Sequence, residues 1–135
     1  MDKTKQMPDY LKSLFSIVIE KKKGWGKEII IENNSVDNRC GKILSYEKDS
    51  SVSSYHYHKI KDEIFYIISG KFQIKIKDLK TGKDYLTEMN VGDSVSLMKD
   101  QPHQLTCLKA GQIFEISSFH SDGDVYRIEG GDSQK

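Results

Sequence analysis

The stretch Lys71-Phe72-Gln73-Ile74-Lys75-Ile76-Lys77 alternates polar and apolar residues without a break. A period of two is the signature of a β-strand with one face in a core and the other in water. Gly70, just before it, starts a tight turn; Lys80-Thr81-Gly82-Lys83, just after it, supplies a hairpin loop; Asn90-Val91-Gly92-Asp93 supplies another turn. Short runs rich in Val, Ile, Phe and Tyr recur along the chain. They predict strands over Lys27–Glu32, Gly41–Glu47, Val52–His58, Glu63–Ser69, Lys71–Lys77, Asp84–Met89, Ser94–Met98, His103–Leu108 and Gln112–Ser118. Strands at this spacing, joined by turns and not by long helices, predict an all-β sandwich or barrel. Near the start, Asp9–Phe15 reads as a helical turn and Ser16–Glu20 as a candidate edge strand. Lys21-Lys22-Lys23 reads as a solvated turn ahead of Gly24-Trp25-Gly26.

A chain of 135 residues is sized for one domain. Its 21 basic residues nearly balance 20 acidic ones, for a net charge of +1. That argues against nucleic acid as the main partner, since neutralising phosphates needs a basic surplus. The longest apolar stretch, Leu14 to Ile19, is far below the ~20 residues that cross a bilayer, so no membrane span is expected. Asp2, Lys3, Lys5 and Asp9 do not resemble a secretory leader, so a cytoplasmic protein is expected. In that compartment Cys40 and Cys107, far apart in sequence, read as buried thiols and not as a disulfide.

Of the four histidines, two form His56-Tyr57-His58 at the end of a predicted strand. Residues two apart on a strand share a face, so both rings can reach one point. Glu63 opens the next strand after a turn centred on Ile60-Lys61 and can return a carboxylate beside them. His103 opens a later strand, which a closed barrel can bring to the same interior point. Three imidazoles and a carboxylate suit one divalent ion (Zn, Mn, Fe, Ni or Co) with positions left for water or substrate. His120 reads as an ordinary surface or core histidine.

The spacing from His56 through Glu63 to Gly70, H-x-H-x4-E-x6-G, resembles the first motif of the cupin family. Ser50 stands where that motif opens with Gly. Gly92 and His103 fit the second motif, in which Met98, Asp100 and Cys107 replace the family's Pro, Gly and Asn. Asp100 is expected to take the positive φ that its turn requires. The resemblance implies a double-stranded β-helix, or jelly-roll, barrel with His103 as the fourth metal ligand. A narrower resemblance, to the cupin-type mannose-6-phosphate isomerase domain, rests on Gly24-Trp25-Gly26-Lys27-Glu28, on Cys40–Tyr46 and on Val125–Glu129. That domain commonly has Gln where this chain has His56, and it has a Pro-Ala-Gly turn that this chain lacks.

The resemblance implies a metal-dependent isomerase or epimerase of a sugar or sugar phosphate in carbohydrate metabolism. Glu115 is the candidate base, and Arg127, Arg39 and Lys42 are candidates for binding a substrate phosphate. A non-haem iron oxygenase and a non-catalytic metabolite-binding protein are the alternatives, because one fold hosts many functions. The run Glu63–Ile68 is apolar on both faces after Glu63, as in a barrel wall covered by a second subunit, so a homodimer is expected. The expected organisation is an N-terminal arm at 1–24 contributing to the dimer, a cupin domain at 25–129 and a flexible tail at 130–135.

Overall fold

A computed structural model describes residues 4–135, so positions 1–3 of the expected N-terminal arm lie outside the described residues. A single α-helical turn, Asp9–Lys12, precedes eleven strands. They are β1 (Ile19–Lys23), β2 (Gly26–Asn34), β3 (Arg39–Tyr46), β4 (Tyr55–Tyr57), β5 (Glu63–Ile67), β6 (Lys71–Lys77), β7 (Asp84–Met89), β8 (Ser94–Leu97), β9 (His103–Lys109), β10 (Gly111–Ser117) and β11 (Tyr126–Glu129). Two antiparallel sheets face each other, in the orders β1-β2-β3-β10-β5-β8 and β11-β4-β9-β6-β7. Chain neighbours are repeatedly placed in opposite sheets, which is the jelly-roll arrangement expected from the sequence. No helix among the described residues is long and apolar enough to cross a membrane.

The period of two sets what each strand turns inward. In β3 burial alternates residue by residue, with Cys40, Lys42, Leu44 and Tyr46 buried. In β6 Phe72 and Ile74 are buried, and their register partners in β9, Cys107 and Leu105, are buried too. The inward series of several strands run from polar to apolar in the same direction along the barrel: Glu63-Phe65-Ile67 in β5, His103-Leu105-Cys107 in β9, Lys42-Leu44-Tyr46 in β3, and Glu115-Ile113 in β10. One end of the barrel is thus a close-packed core, with Trp25 stacked on Tyr46 at 4.2 Å and Phe72 against the edge of Tyr46. The other end is polar. Each strand supplies both ends through one alternation, so the core fixes the register of the polar groups.

Several details differ from the sequence reading. Lys21-Lys22-Lys23 is not a solvated turn: it belongs to β1, paired with Glu28, Lys27 and Gly26 of β2. The predicted strand Val52–His58 contracts to β4, because Val52 makes only an isolated bridge, to Thr106. Tyr126–Glu129 forms β11, which covers β4. Residues 130–135, expected as a flexible tail, have specific contacts. Asp132 exchanges two hydrogen bonds with the Val52 backbone, and Ser133 Oγ accepts from the Gly24 N–H at 3.1 Å. Cys40 and Cys107 are buried free thiols, as expected. Gly70 (φ 81°) permits the β5–β6 turn, and a β-carbon there would lie 2.5 Å from the Lys109 carbonyl oxygen.

Candidate metal centre

The polar end of the barrel opens into a cavity of about 400 Å³. His56 is carried on β4 directly opposite His103 of β9, while His58 follows two residues after His56. The ring centroids are 4.6 Å apart for His56–His103 and 5.0 Å for His56–His58. Glu63 enters from β5 of the facing sheet. One potential ligand atom from each of His56, His58, Glu63 and His103 lies within 4.8 Å of the other three.

All three imidazoles are oriented in the same way. Nδ1–H donates to a backbone carbonyl in each: His56 to Ser54 at 2.9 Å, His58 to Asp124 at 2.8 Å and His103 to Gln101 at 2.9 Å. That bond fixes the tautomer and leaves the Nε2 lone pair for the cavity, as in metal-bound histidines. Two buried atoms at this point, His103 Nε2 and Glu63 Oε1, have no hydrogen-bond partner. They approach to 3.0 Å, but with Nε2 unprotonated this is a lone pair facing a carboxylate oxygen. An orphaned carboxylate oxygen among three imidazole lone pairs is costly in isolation and is what a divalent cation satisfies. Burial, followed by the neighbouring His103 and His58, lowers the His56 pKa from 6.5 to about 3, so its ring is neutral and available as a ligand. Burial would raise the Glu63 pKa, and the Lys61 ammonium 3.1 Å from Oε2 opposes it by favouring the carboxylate. The residues fit one divalent metal ion, and these four form its binding group.

A polar network that the sequence reading did not anticipate stands behind the centre. Lys61 is buried, and its Nζ lies 3.1 Å from Glu63 Oε2, 3.3 Å from Glu115 Oε2 and 3.1 Å from His120 Nδ1. The three acceptors use all three ammonium donors. His120 therefore carries its proton on Nε2 and donates it to Asp122 Oδ1 at 3.0 Å. Burial, then the charge of Lys61, lowers the His120 pKa to about 4, so it is a neutral member of the site and not an ordinary surface histidine. Asp124 accepts hydrogen bonds from the backbone N–H groups of Lys59, Ile60 and Lys61 at 2.9–3.2 Å. Lys61 carried no signal of strand phase, since it lies in the turn ahead of β5. His120 and Asp124 carried none, because a 3-10 turn over Asp122–Asp124 brings them in from about 60 residues away.

The other candidate residues divide. Glu115 is buried and lines the cavity; burial, then the charge of Glu63, raises its pKa. Arg127 lines the cavity from β11, opposite His56, and is exposed. Lys42 lines it as well, but its Nζ is committed to Glu28 Oε1 at 2.9 Å. Arg39 is not brought to the cavity. It lies at the start of β3, exposed and paired with Glu32 at 2.9 Å and Asp37 at 3.9 Å.

No family model matches the chain, and no curated protein matches it. Solved structures do. Oxalate decarboxylase from Bacillus subtilis, in a structure at pH 4.6, superposes with a TM-score of 0.70 and 20% identity over 84% of this chain and 31% of its own. The same enzyme in a study of its Mn(II) centres gives 0.69 and 20% over the same shares. This chain therefore spans about a third of the length of those proteins. The likeness is one of fold: the barrel is a jelly roll, as expected. It lends no support to the narrower resemblance to a mannose-6-phosphate isomerase domain.

Proposed function

We propose that the chain is a metal-dependent enzyme acting on a small, oxygen-rich substrate, with isomerisation or epimerisation of a sugar or sugar phosphate as the leading reaction. The observation that carries this reading is a second buried carboxyl group, Glu115, in the same cavity as the three-histidine, one-carboxylate centre. A divalent ion held by His56, His58, Glu63 and His103 supplies Lewis acidity to a carbonyl or hydroxyl oxygen of the substrate. Glu115, with its pKa raised, is suited to take and return a proton on the carbon next to that carbonyl. Lys61 holds Glu115 in place through Oε2. Arg127 at the rim is the group suited to a substrate phosphate, since Lys42 is engaged by Glu28 and Arg39 lies outside the cavity.

The test is turnover of a panel of aldose and ketose phosphates by the metal-loaded protein beside His103→Ala and Glu115→Gln. Metal in the parent, its loss from His103→Ala, and metal with at least about a hundredfold slower turnover in Glu115→Gln are expected. Oxygen uptake with Fe(II) and substrate would instead make the protein a non-haem iron oxygenase. Thermal stabilisation by a sugar phosphate without turnover would make it a binding protein.

We also propose that two copies associate through the outer face of the six-stranded sheet. On that face Ile29, Ile43, Phe114 and Tyr66 stand directly opposite one another on adjacent strands, with Ile64 and Ile116 in the next row. Tyr66 is 45% and Ile116 51% exposed, and a row of large apolar groups across a sheet is what a partner sheet covers. The N-terminal segment, in which Leu14 and Ile17 are exposed, is proposed to extend the contact.

A further inference from the structure

We propose that Lys61 is a positioning residue that confines Glu63 to a single metal-binding oxygen and so keeps room at the ion for a substrate oxygen. The inference rests on the metal centre described above. The two oxygens of Glu63 have different surroundings. Oε1 points among the imidazoles, 3.0 Å from His103 Nε2 and 3.4 Å from His58 Nε2, with no hydrogen-bond partner. Oε2 is held by the Lys61 ammonium at 3.1 Å. A carboxylate free at both oxygens can chelate a divalent cation through both; an ammonium bound to one oxygen repels a cation from that side and favours binding through the other.

Lys61 is fixed well enough to enforce this. Its remaining donors are taken by Glu115 Oε2 and His120 Nδ1. Its backbone N–H is held by Asp124 at 2.9 Å, and the carbonyl of the same Asp124 orients His58. Swinging Nζ away from Glu63 would break a network of four side chains, three of them buried. An ammonium beside a metal ligand also acts against cation affinity, because it repels the ion and draws charge from the carboxylate. Lys61 thus lowers affinity in exchange for an open position.

The probe is Co(II), whose visible spectrum reports coordination, with azide as a small anion competing for an open position. The parent is expected to bind Co(II) and to shift its spectrum saturably with azide. In Lys61→Met, Glu63 is released to use both oxygens. Co(II) is expected to bind several-fold more tightly, with weaker visible absorption as coordination number rises, and azide affinity to fall by about tenfold. Lys61→Arg, which keeps a cationic donor, is expected to return the spectrum and the azide response toward the parent's. Should Lys61→Met not fold, judged by circular dichroism in chelator, Lys61→Leu, which also removes the donor, is expected to shift all three readouts in the same direction. Equal or weaker Co(II) binding with a spectrum and azide response superimposable on the parent's overturns the proposal and leaves the metal centre standing. A parent that binds no Co(II) overturns both.

Discussion

Ser50 and Asp100 each adopt φ 67°, in the left-handed region where a β-carbon crowds the following carbonyl. Both turns are held by the backbone: Ser50 N–H donates to the Cys107 carbonyl at 2.7 Å and Asp100 N–H to the His58 carbonyl at 2.7 Å. The strain is about 1–2 kcal/mol, less for Asp, whereas glycine would add roughly 0.4–1 kcal/mol of unfolded-chain entropy to be lost. The strain wins at Ser50, so Ser50→Gly is expected to stabilise the protein by about 0.5 kcal/mol in urea unfolding, and Asp100→Gly by less. Both are surface positions, so the gain reads backbone conformation and not packing. Titration of His56 makes a second prediction at this scale. Its pKa falls from 6.5 in the unfolded chain to about 3 in the fold, so the unfolded chain binds the proton first. The metal-free protein is therefore expected to lose stability as pH falls from about 6.5 to about 3, and to be insensitive to this group above that window. A His56→Gln variant is expected to show a shallower decline over the same range in thermal unfolding.

The 3-10 turn at Asp122–Asp124 is only three residues long, and three parts of the site rest on it. Asp122 fixes His120, the Asp124 carbonyl fixes His58, and the Asp124 carboxylate ties down the loop that carries Lys61 toward Glu63. Burial would raise the Asp124 pKa, but the three backbone amides, those of Lys61, Lys59 and Ile60, outweigh it and keep the group ionised. Asp124→Ala leaves those amides without their acceptor. It is expected to cost about 2–4 kcal/mol in denaturant unfolding and about tenfold or more in metal affinity. Asp124→Asn, with one acceptor oxygen in place of two, is expected to fall between. This element also marks where the sequence stopped being legible. His56, His58 and Glu63 could be read because they are close in sequence and a strand repeats every two residues. His103 could be read because it is one of few histidines and opens a strand. The contraction of β4 and the supporting turn could not, because both depend on how the barrel closes. Glu115 illustrates the boundary: its phase with Ile113 was visible, but whether that face looked into the barrel was decided only by pairing with β3 and β5.

At the scale of the whole molecule, the alternation that builds the site also separates it from the proposed dimer face. In β5, Glu63, Phe65 and Ile67 turn inward, and Ile64 and Tyr66 turn outward. In β10, Ile113 and Glu115 turn inward while Phe114 and Ile116 look out. A charge on the outer row should therefore disturb association and leave the cavity intact. Tyr66 suits this test: it stands opposite Phe114 on one side and Ser94 on the other, where its ring would lie against a partner. A lysine there would put a desolvated ammonium without a counterion into each half of a two-fold contact. Sedimentation is expected to give twice the 15.5 kDa chain mass for the parent and the chain mass for Tyr66→Lys. Metal content and the Co(II) spectrum are expected to be unchanged in the variant, since the side chains of β5 that face the centre lie on the opposite side of the sheet. A parent that sediments at 15.5 kDa rules out the dimer. A monomeric variant that has also lost its metal would mean that the two faces are coupled through the sheet, against the independence that a period of two requires.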